Sequence, residues 1–289
     1  QSAANVCDAP ATLTTATPVA SELLYVELAA TNDSPERRSA LHRYGEQIEQ
    51  RRDKRLDPNG GEPRFAQNGW FSWNKWFLDV TQDIVLRTAD EMTPVAGANF
   101  DLVEVDDGWE KKWGDWHPNE KFGPIKDLAD TLESKGKRLG LWLAPFLVAA
   151  ELPIVAEHPD WWVKQRDGAT PLTHQPFGTP DPLRVLDVTH PDALAWAMAN
   201  LSRLKADGVD FFKLDFLYAT AFDGVRHDPS ITGTGALKAA LVAVFNTLGH
   251  VRVNLCGVPW LHAALAPMSS IRIGGDVASA LGDHGFVYV

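Results

Sequence analysis

The chain has 289 residues, 45% of them hydrophobic and 22% charged, which excludes a disordered chain, a collagen-like repeat and a small disulfide scaffold. A net charge of −11 disfavours a nucleic-acid partner, and no apolar run approaches the roughly 20 residues that span a bilayer, so neither nucleic acid nor membrane is an expected partner. Cys7 and Cys256 are too few for a zinc site or a disulfide framework; they suit a reducing compartment, and a cytoplasmic location is the expectation.

The Gln-Ser-Ala-Ala start lacks the charged and apolar regions of a signal peptide. Residues 1 to about 30 are rich in Ala, Thr and Ser and read as the tail of a preceding β-domain. Ser34-Pro35-Glu36 then opens a charged helix running to about Lys54, because Ser caps and Pro suits the first turn. Its arginines alternate with Glu36, Glu46 and Glu49, the pattern of a solvated face. From residue 67 short apolar strands alternate with amphipathic helices, which predicts a parallel α/β sheet with crossover helices. The strands fall at 67–73, 100–107, 138–146, 185–189, 210–216, 250–257 and 270–277, and the helices at 81–95, 124–136, 191–207 and 234–248. The α/β fold expected is a (β/α)8 TIM barrel, which carries its active site at the C-terminal strand ends; a doubly wound open sheet is the alternative, although no Gly-rich phosphate loop follows the first strand. Only seven strands are evident; an eighth is hidden in 285–289 or the chain is a truncated barrel. The expected division is thus 1–66, the β-domain tail and linker helix, and 67–289, the catalytic barrel.

Chemistry-bearing residues gather at those strand ends. In Phe211-Phe212-Lys213-Leu214-Asp215-Phe216 alternation puts Lys213 and Asp215 on one face, where an ammonium beside a carboxylate keeps a nucleophilic Asp ionised. An ordinary strand-end ion pair has the same sequence. Ile271-Arg272-Ile273-Gly274-Gly275-Asp276 ends a strand with two glycines and an acid, a spacing that can aim Asp276 into the barrel mouth; taken alone, a plain turn is the better reading. Asp106-Asp107-Gly108-Trp109, with Trp113 and Trp116 behind, suits adjacent carboxylates holding neighbouring hydroxyls beside aromatic walls. The eleven tryptophans as a set favour core filling over sugar stacking.

Together these segments resemble the melibiase-type α-galactosidases of glycoside hydrolase family 36 and, more distantly, family 27 of the same clan. The ordered matches include Asn68-Gly69-Trp70-Phe71-Ser72-Trp73, Asp106-Asp107-Gly108-Trp109, Gly114-Asp115-Trp116, Gly140-Leu141-Trp142-Leu143-Ala144-Pro145-Phe146, Lys213-Leu214-Asp215-Phe216, Cys256-Gly257-Val258-Pro259 and Arg272-Ile273-Gly274-Gly275-Asp276. The resemblance implies a retaining glycosidase acting on a small-molecule carbohydrate, a terminal α-galactoside of the melibiose or raffinose type, without cofactor or metal. It puts Asp215 at the nucleophile position and Asp276 at the acid/base position, and matches Trp73, Asp106, Asp107, Trp142, Lys213, Cys256 and Arg272 to sugar-binding positions. Asp115, Trp116 and Arg184 are weaker matches. A retaining mechanism needs its two carboxyls about 5–5.5 Å apart, one attacking the anomeric carbon and one protonating the departing oxygen.

Three other readings share parts of this pattern. A galactosyl transferase of the raffinose-synthase type uses the same residues, and a truncated sugar-binding protein would bind without turnover. A metal-dependent barrel enzyme would ligate a divalent cation through Asp106, Asp107, Asp215 and Asp276, although the strand ends lack His.

Overall fold

A computed structural model describes residues 68–92, 100–176, 179, 181–259 and 270–272. In chain order its elements are β1 (Asn68–Phe71), α1 (Trp73–Trp76), α2 (Gln82–Glu91), β2 (Phe100–Val105), α3 (Ile125–Ser134), β3 (Arg138–Leu143), β4 (Leu147–Ala149), α4 (Pro153–Glu157), β5 (Thr173–His174), β6 (Leu183–Val185), α5 (Pro191–Ala206), β7 (Val209–Leu214), α6 (Gly233–Leu248), β8 (Arg252–Leu255) and β9 (Ser270–Ile271). Single-turn 3-10 segments follow α1 at Phe77–Asp79 and β7 at Leu217–Ala221.

The long helices begin where the sequence supplies a cap. Thr81 accepts a hydrogen bond from the Ile84 amide (3.3 Å) ahead of α2, and Thr232 accepts one from the Gly235 amide (3.1 Å) ahead of α6. Pro191 occupies the first turn of α5, where its missing N–H costs nothing. Gly208, at φ 94°, turns the chain from α5 into β7, and a Cβ there would lie 2.8 Å from that of Ala129, so both conformation and space require glycine. No helix among the described residues is long and apolar enough to cross a membrane.

Six parallel strands form one sheet in the order β1-β2-β3-β7-β8-β9. Side-chain alternation divides it into two faces. Val103, Val105, Leu139, Leu141, Leu143, Phe212, Leu214, Val253 and Leu255 are buried in a core shared with Val85, Leu128, Leu132, Leu201, Leu204, Leu237, Val244 and Leu248 of the helices. The opposite face carries two successive levels. Phe71, Glu104, Gly140 and Phe211 are register partners in the lower one; Trp142, Lys213 and Asn254 are partners in the upper, with Asp106 one residue beyond β2. β1 and β7 are separated by two strands, so rings standing upright on a flat sheet would sit about 14 Å apart. The Phe71 and Phe211 rings instead meet edge to face at 5.9 Å, which requires the sheet to bend toward this face. The bend passes over Gly140, where a Cβ would lie 3.0 Å from the Phe211 ring and 3.2 Å from Glu104 Cβ and Cγ. Chain-order parallel strands, helical crossovers and this curvature are consistent with part of a (β/α)8 barrel.

One expected strand is corrected. Residues 185–189 do not join the parallel sheet: β6 pairs antiparallel with β4 and β5 in a separate three-stranded sheet inserted between β3 and α5. Asp187, within that expected strand, holds a turn instead. Its carboxylate accepts from the Thr189 amide (3.0 Å), the Thr189 hydroxyl (2.7 Å) and the His227 amide (2.6 Å). A short apolar run bounded by turn residues looks the same in either kind of sheet. The expected β-domain tail, the helix over 34–54, residues 273–277 and the strand at 285–289 lie outside the described residues.

Gly140→Val places a branched side chain against both Glu104 and the Phe211 ring. Overpacking of this kind costs on the order of 1–3 kcal/mol, and urea unfolding should show a lowered midpoint with an unchanged slope.

Candidate active site

The site lies where β2, β3, β7 and β8 end on the concave face. Backbone pairing continues one residue past the strands: the Asp215 amide donates to Leu143 O (2.8 Å), the Cys256 amide to Leu214 O (2.8 Å) and the Arg272 amide to Leu255 O (3.0 Å). Asp215, Cys256 and Arg272 are thereby held on neighbouring strand ends with their backbones fixed by the sheet.

Asp106 and Lys213 form a buried ion pair that crosses over β3. The Asp106 amide donates to Ser72 Oγ (2.9 Å), and Asp106 Oδ1 accepts from the Asp107 amide (2.9 Å). Burial raises the Asp106 pKa above the usual carboxylate range in spite of Lys213. Burial works against the ammonium too, but the Asp106 carboxylate beside it outweighs that and holds the Lys213 pKa above its ordinary value. This corrects the expected Lys213–Asp215 pairing: the ammonium reaches across to β2 because the sheet bends toward it.

Asp215 is instead held by neutral donors. Its Oδ1 accepts from the Phe216 amide (2.7 Å) and its Oδ2 from Trp142 Nε1 (3.2 Å). Phe216 adopts φ 53°, a left-handed conformation uncommon for a bulky residue, and this turn follows the Asp215 carboxylate directly. Asp107 Oδ1 accepts from Trp113 Nε1 (3.0 Å), and burial pushes its carboxyl up to about 6 while that indole draws it down.

The aromatic residues separate into two roles. Trp113 packs against Trp142 at 4.9 Å and against Phe216 at 5.2 Å, forming a corner beside Asp107 and Asp215. Trp109 and Trp116 are fully buried, and Trp109 Nε1 donates to Trp142 O (2.8 Å), so they support the site from the core and do not wall it. Trp73 sits partly buried at the start of α1, its ring 5.2 Å from Phe77. Cys256 is buried, which pushes its thiol up to about 12, and its Sγ donates to Asn254 Oδ1 (3.3 Å). Arg184 lies on β6, and Asp115, in the loop after β2, accepts from His117 Nδ1 (2.9 Å). Asp276 lies outside the described residues.

The structure therefore brings Asp106, Asp107, Trp142, Lys213, Asp215 and Cys256 into one cluster. Ser72, Glu104, Trp113 as a donor, Phe216 and Asn254 are the members that sequence reasoning did not assign. Alternation was the available signal for Glu104, two residues before Asp106, and for Asn254, two before Cys256.

A parallel α/β sheet with clustered carboxylates and indoles at its C-terminal strand ends defines a class of protein that works on polar small molecules at that edge. The melibiase family profile matches residues 69–260, and the chain belongs to that family. The α-galactosidase of Oryza sativa subsp. japonica is 34% identical over 100 residues, covering 32% of this chain and 24% of that protein. The bifunctional α-galactosidase/sucrose kinase of Mediterraneibacter gnavus is 29% identical over 102 residues, covering 32% of this chain and 11% of its own. Among solved structures, the Thermus thermophilus α-galactosidase in complex with p-nitrophenyl α-D-galactopyranoside is 32% identical with a TM-score of 0.64, covering 76% of this chain and 44% of that one. The chain thus spans only a minor part of the curated relatives it matches.

Asp107 supplies a test of the electrostatics. Its folded pKa of about 6 lies above the ordinary 3.8, so its contribution to stability is fully present below that ordinary value and is lost as pH rises through about 6. Calorimetry of Asp107→Asn against the unsubstituted chain should show the variant gaining in relative stability from pH 4 to 7, by on the order of 3 kcal/mol, then levelling off.

Proposed function

We propose that the chain carries the active site of a retaining α-galactosidase that hydrolyses terminal α-galactosides by double displacement. The observation that supports this reading is the Asp215 carboxylate. It is buried at the end of β7, oriented by two N–H donors, and set beside a second carboxylate system, Asp106 and Asp107, anchored by Lys213 and Trp113. Family membership and the likeness to α-galactosidases give that arrangement its substrate class.

In this reading Asp106 and Asp107 accept hydrogen bonds from adjacent sugar hydroxyls. Two neighbouring carboxylates with different partners suit a pair of hydroxyls better than a single acceptor does. Lys213 holds Asp106 and donates its remaining N–H groups toward the sugar. Trp113 and Trp73, both partly exposed, offer apolar surface to the ring face, while Trp142, expected as a wall, is buried and orients Asp215 through its indole N–H. Asp215 attacks the anomeric carbon, forming a glycosyl ester as the bond from that carbon to the departing oxygen breaks. Asp276 gives that oxygen a proton, then takes one from the water that cleaves the ester. The metal-dependent alternative is weakened by Lys213, whose ammonium already occupies the position beside Asp106 that a cation would need.

Initial rates on p-nitrophenyl α-galactoside and α-glucoside test the proposal. Turnover selective for the galactoside, reduced about 10⁴-fold or more in Asp215→Ala, is the expected result. Azide should restore part of it with inverted product, since a small anion fills the place of the missing carboxylate. Full activity in Asp215→Ala would overturn the assignment.

A further inference from the structure

Glu104 is a buried titratable group that the mechanism above does not use. It lies next to the end of β2 with 0% exposure, and neither oxygen of its carboxyl accepts a hydrogen bond from an N–H or O–H among the described residues. Its position is tightly defined. Gly140 on β3 lies against its Cβ and Cγ, Phe71 of β1 is its register partner, and Asp106 stands two residues further along the same face.

The charged groups facing Glu104 are Asp106 from its own strand and Lys213 and Asp215 from β7. β3 contributes Gly140 and Trp142, and β1 contributes Phe71, none of them charged. Lys213 already neutralises Asp106. A second ionised carboxyl in this dry layer would therefore be an uncompensated buried anion beside an existing one, an arrangement that proteins avoid by protonating the group. Burial first, and the Asp106 charge second, hold the Glu104 carboxyl well above its ordinary range. A neutral carboxylic acid has one O–H to donate, and Asp106 is the acceptor next to it on the strand.

We infer that Glu104 is a positioning residue for the sugar-holding carboxylate: as a neutral acid beneath the Asp106–Lys213 pair, it donates to Asp106 and fixes that carboxylate for the substrate hydroxyl. The inference rests on the reading that Asp106 binds the sugar. It makes the buried layer neutral, with one anion, one cation and one uncharged acid. Glu104 touches no substrate and acts only through Asp106.

Two variants of the full chain test it. Glu104→Leu keeps the volume and removes the donor; Glu104→Gln keeps a donor and cannot ionise. Glu104→Leu should raise KM for p-nitrophenyl α-galactoside about tenfold, the scale of one misplaced buried hydrogen bond, with a smaller change in kcat and no loss of melting temperature. Glu104→Gln should recover most of that KM, a rescue that a purely space-filling role would not show. Infrared difference spectra of the unsubstituted chain against Glu104→Gln at pH 7 should contain the carbonyl band of a protonated carboxyl, whether or not the chain turns over. A Gln variant as impaired as the Leu variant, an unaltered KM in Glu104→Leu, or the absence of that band would overturn the inference. An unsubstituted chain that leaves α-galactosides untouched would sink the proposed function instead, and the infrared band would still decide the protonation of Glu104.

Discussion

The Asp106–Lys213 ion pair is the interaction on which the concave face depends. It joins β2 to β7 across the intervening β3, in a layer from which water is excluded. Removing two charges from water is costly, and their attraction offsets that cost only when the pair is close and its remaining valences are used. Both conditions depend on the bend of the sheet. A flat sheet would leave the two side chains on strands roughly 10 Å apart, whereas curvature over Gly140 brings them into contact. Ser72, one residue past β1, fixes the Asp106 backbone through its amide, so the ends of three strands converge on one residue.

That arrangement makes chemically equivalent acids unequal. Asp106 takes the ammonium, Asp107 takes an indole N–H, and Asp215 takes one indole and one backbone N–H. The distinction bears on the proposed reaction. A carboxylate that pairs directly with an ammonium has its charge bound up in that contact, which favours holding a hydroxyl over attacking carbon. One held by neutral donors is oriented while keeping its charge available. Lys213 stabilises the anionic cluster as a whole without closing on the attacking group.

Much of this architecture was legible in the chain. All six strands of the parallel sheet and four long helices of the described structure overlap the expected segments, because period-2 and period-3.6 patterns with Gly and Pro boundaries are strong local signals. The failures have physical causes. Residues 185–189 carry the apolar run of a buried strand, and nothing local distinguishes an antiparallel insert from a barrel strand. Lys213 and Asp215 do share a face, as alternation requires, but partner choice is decided by curvature, which arises from Gly140 on another strand and is invisible from within β7. Trp109 and Trp116 followed the acids in sequence as apparent walls, yet pack into the core because the loop after β2 folds inward around Glu110, whose carboxylate accepts from the Trp116 amide (3.2 Å). Glu104 reads as an ordinary polar residue in an apolar strand until the register shows which face is dry.

The division between strands and loops extends this logic to specificity. Asp106, Lys213, Asp215 and Cys256 stand on or one residue beyond strands whose backbone bonds fix them. Trp113 comes from the loop after β2, and that loop is tied to the inserted sheet through the Ala149 amide, which donates to Trp113 O (2.9 Å). The charged machinery thus belongs to the rigid frame, together with Trp142 on β3, while Trp113 of the aromatic corner is supplied by a loop, the kind of segment freest to vary in length and composition. Since Trp113 both donates to Asp107 and packs on Trp142, which donates to Asp215, a change in the loop reaches both carboxylates through a single indole. Under the proposed function, selectivity among sugars can then change without disturbing the buried pair beneath.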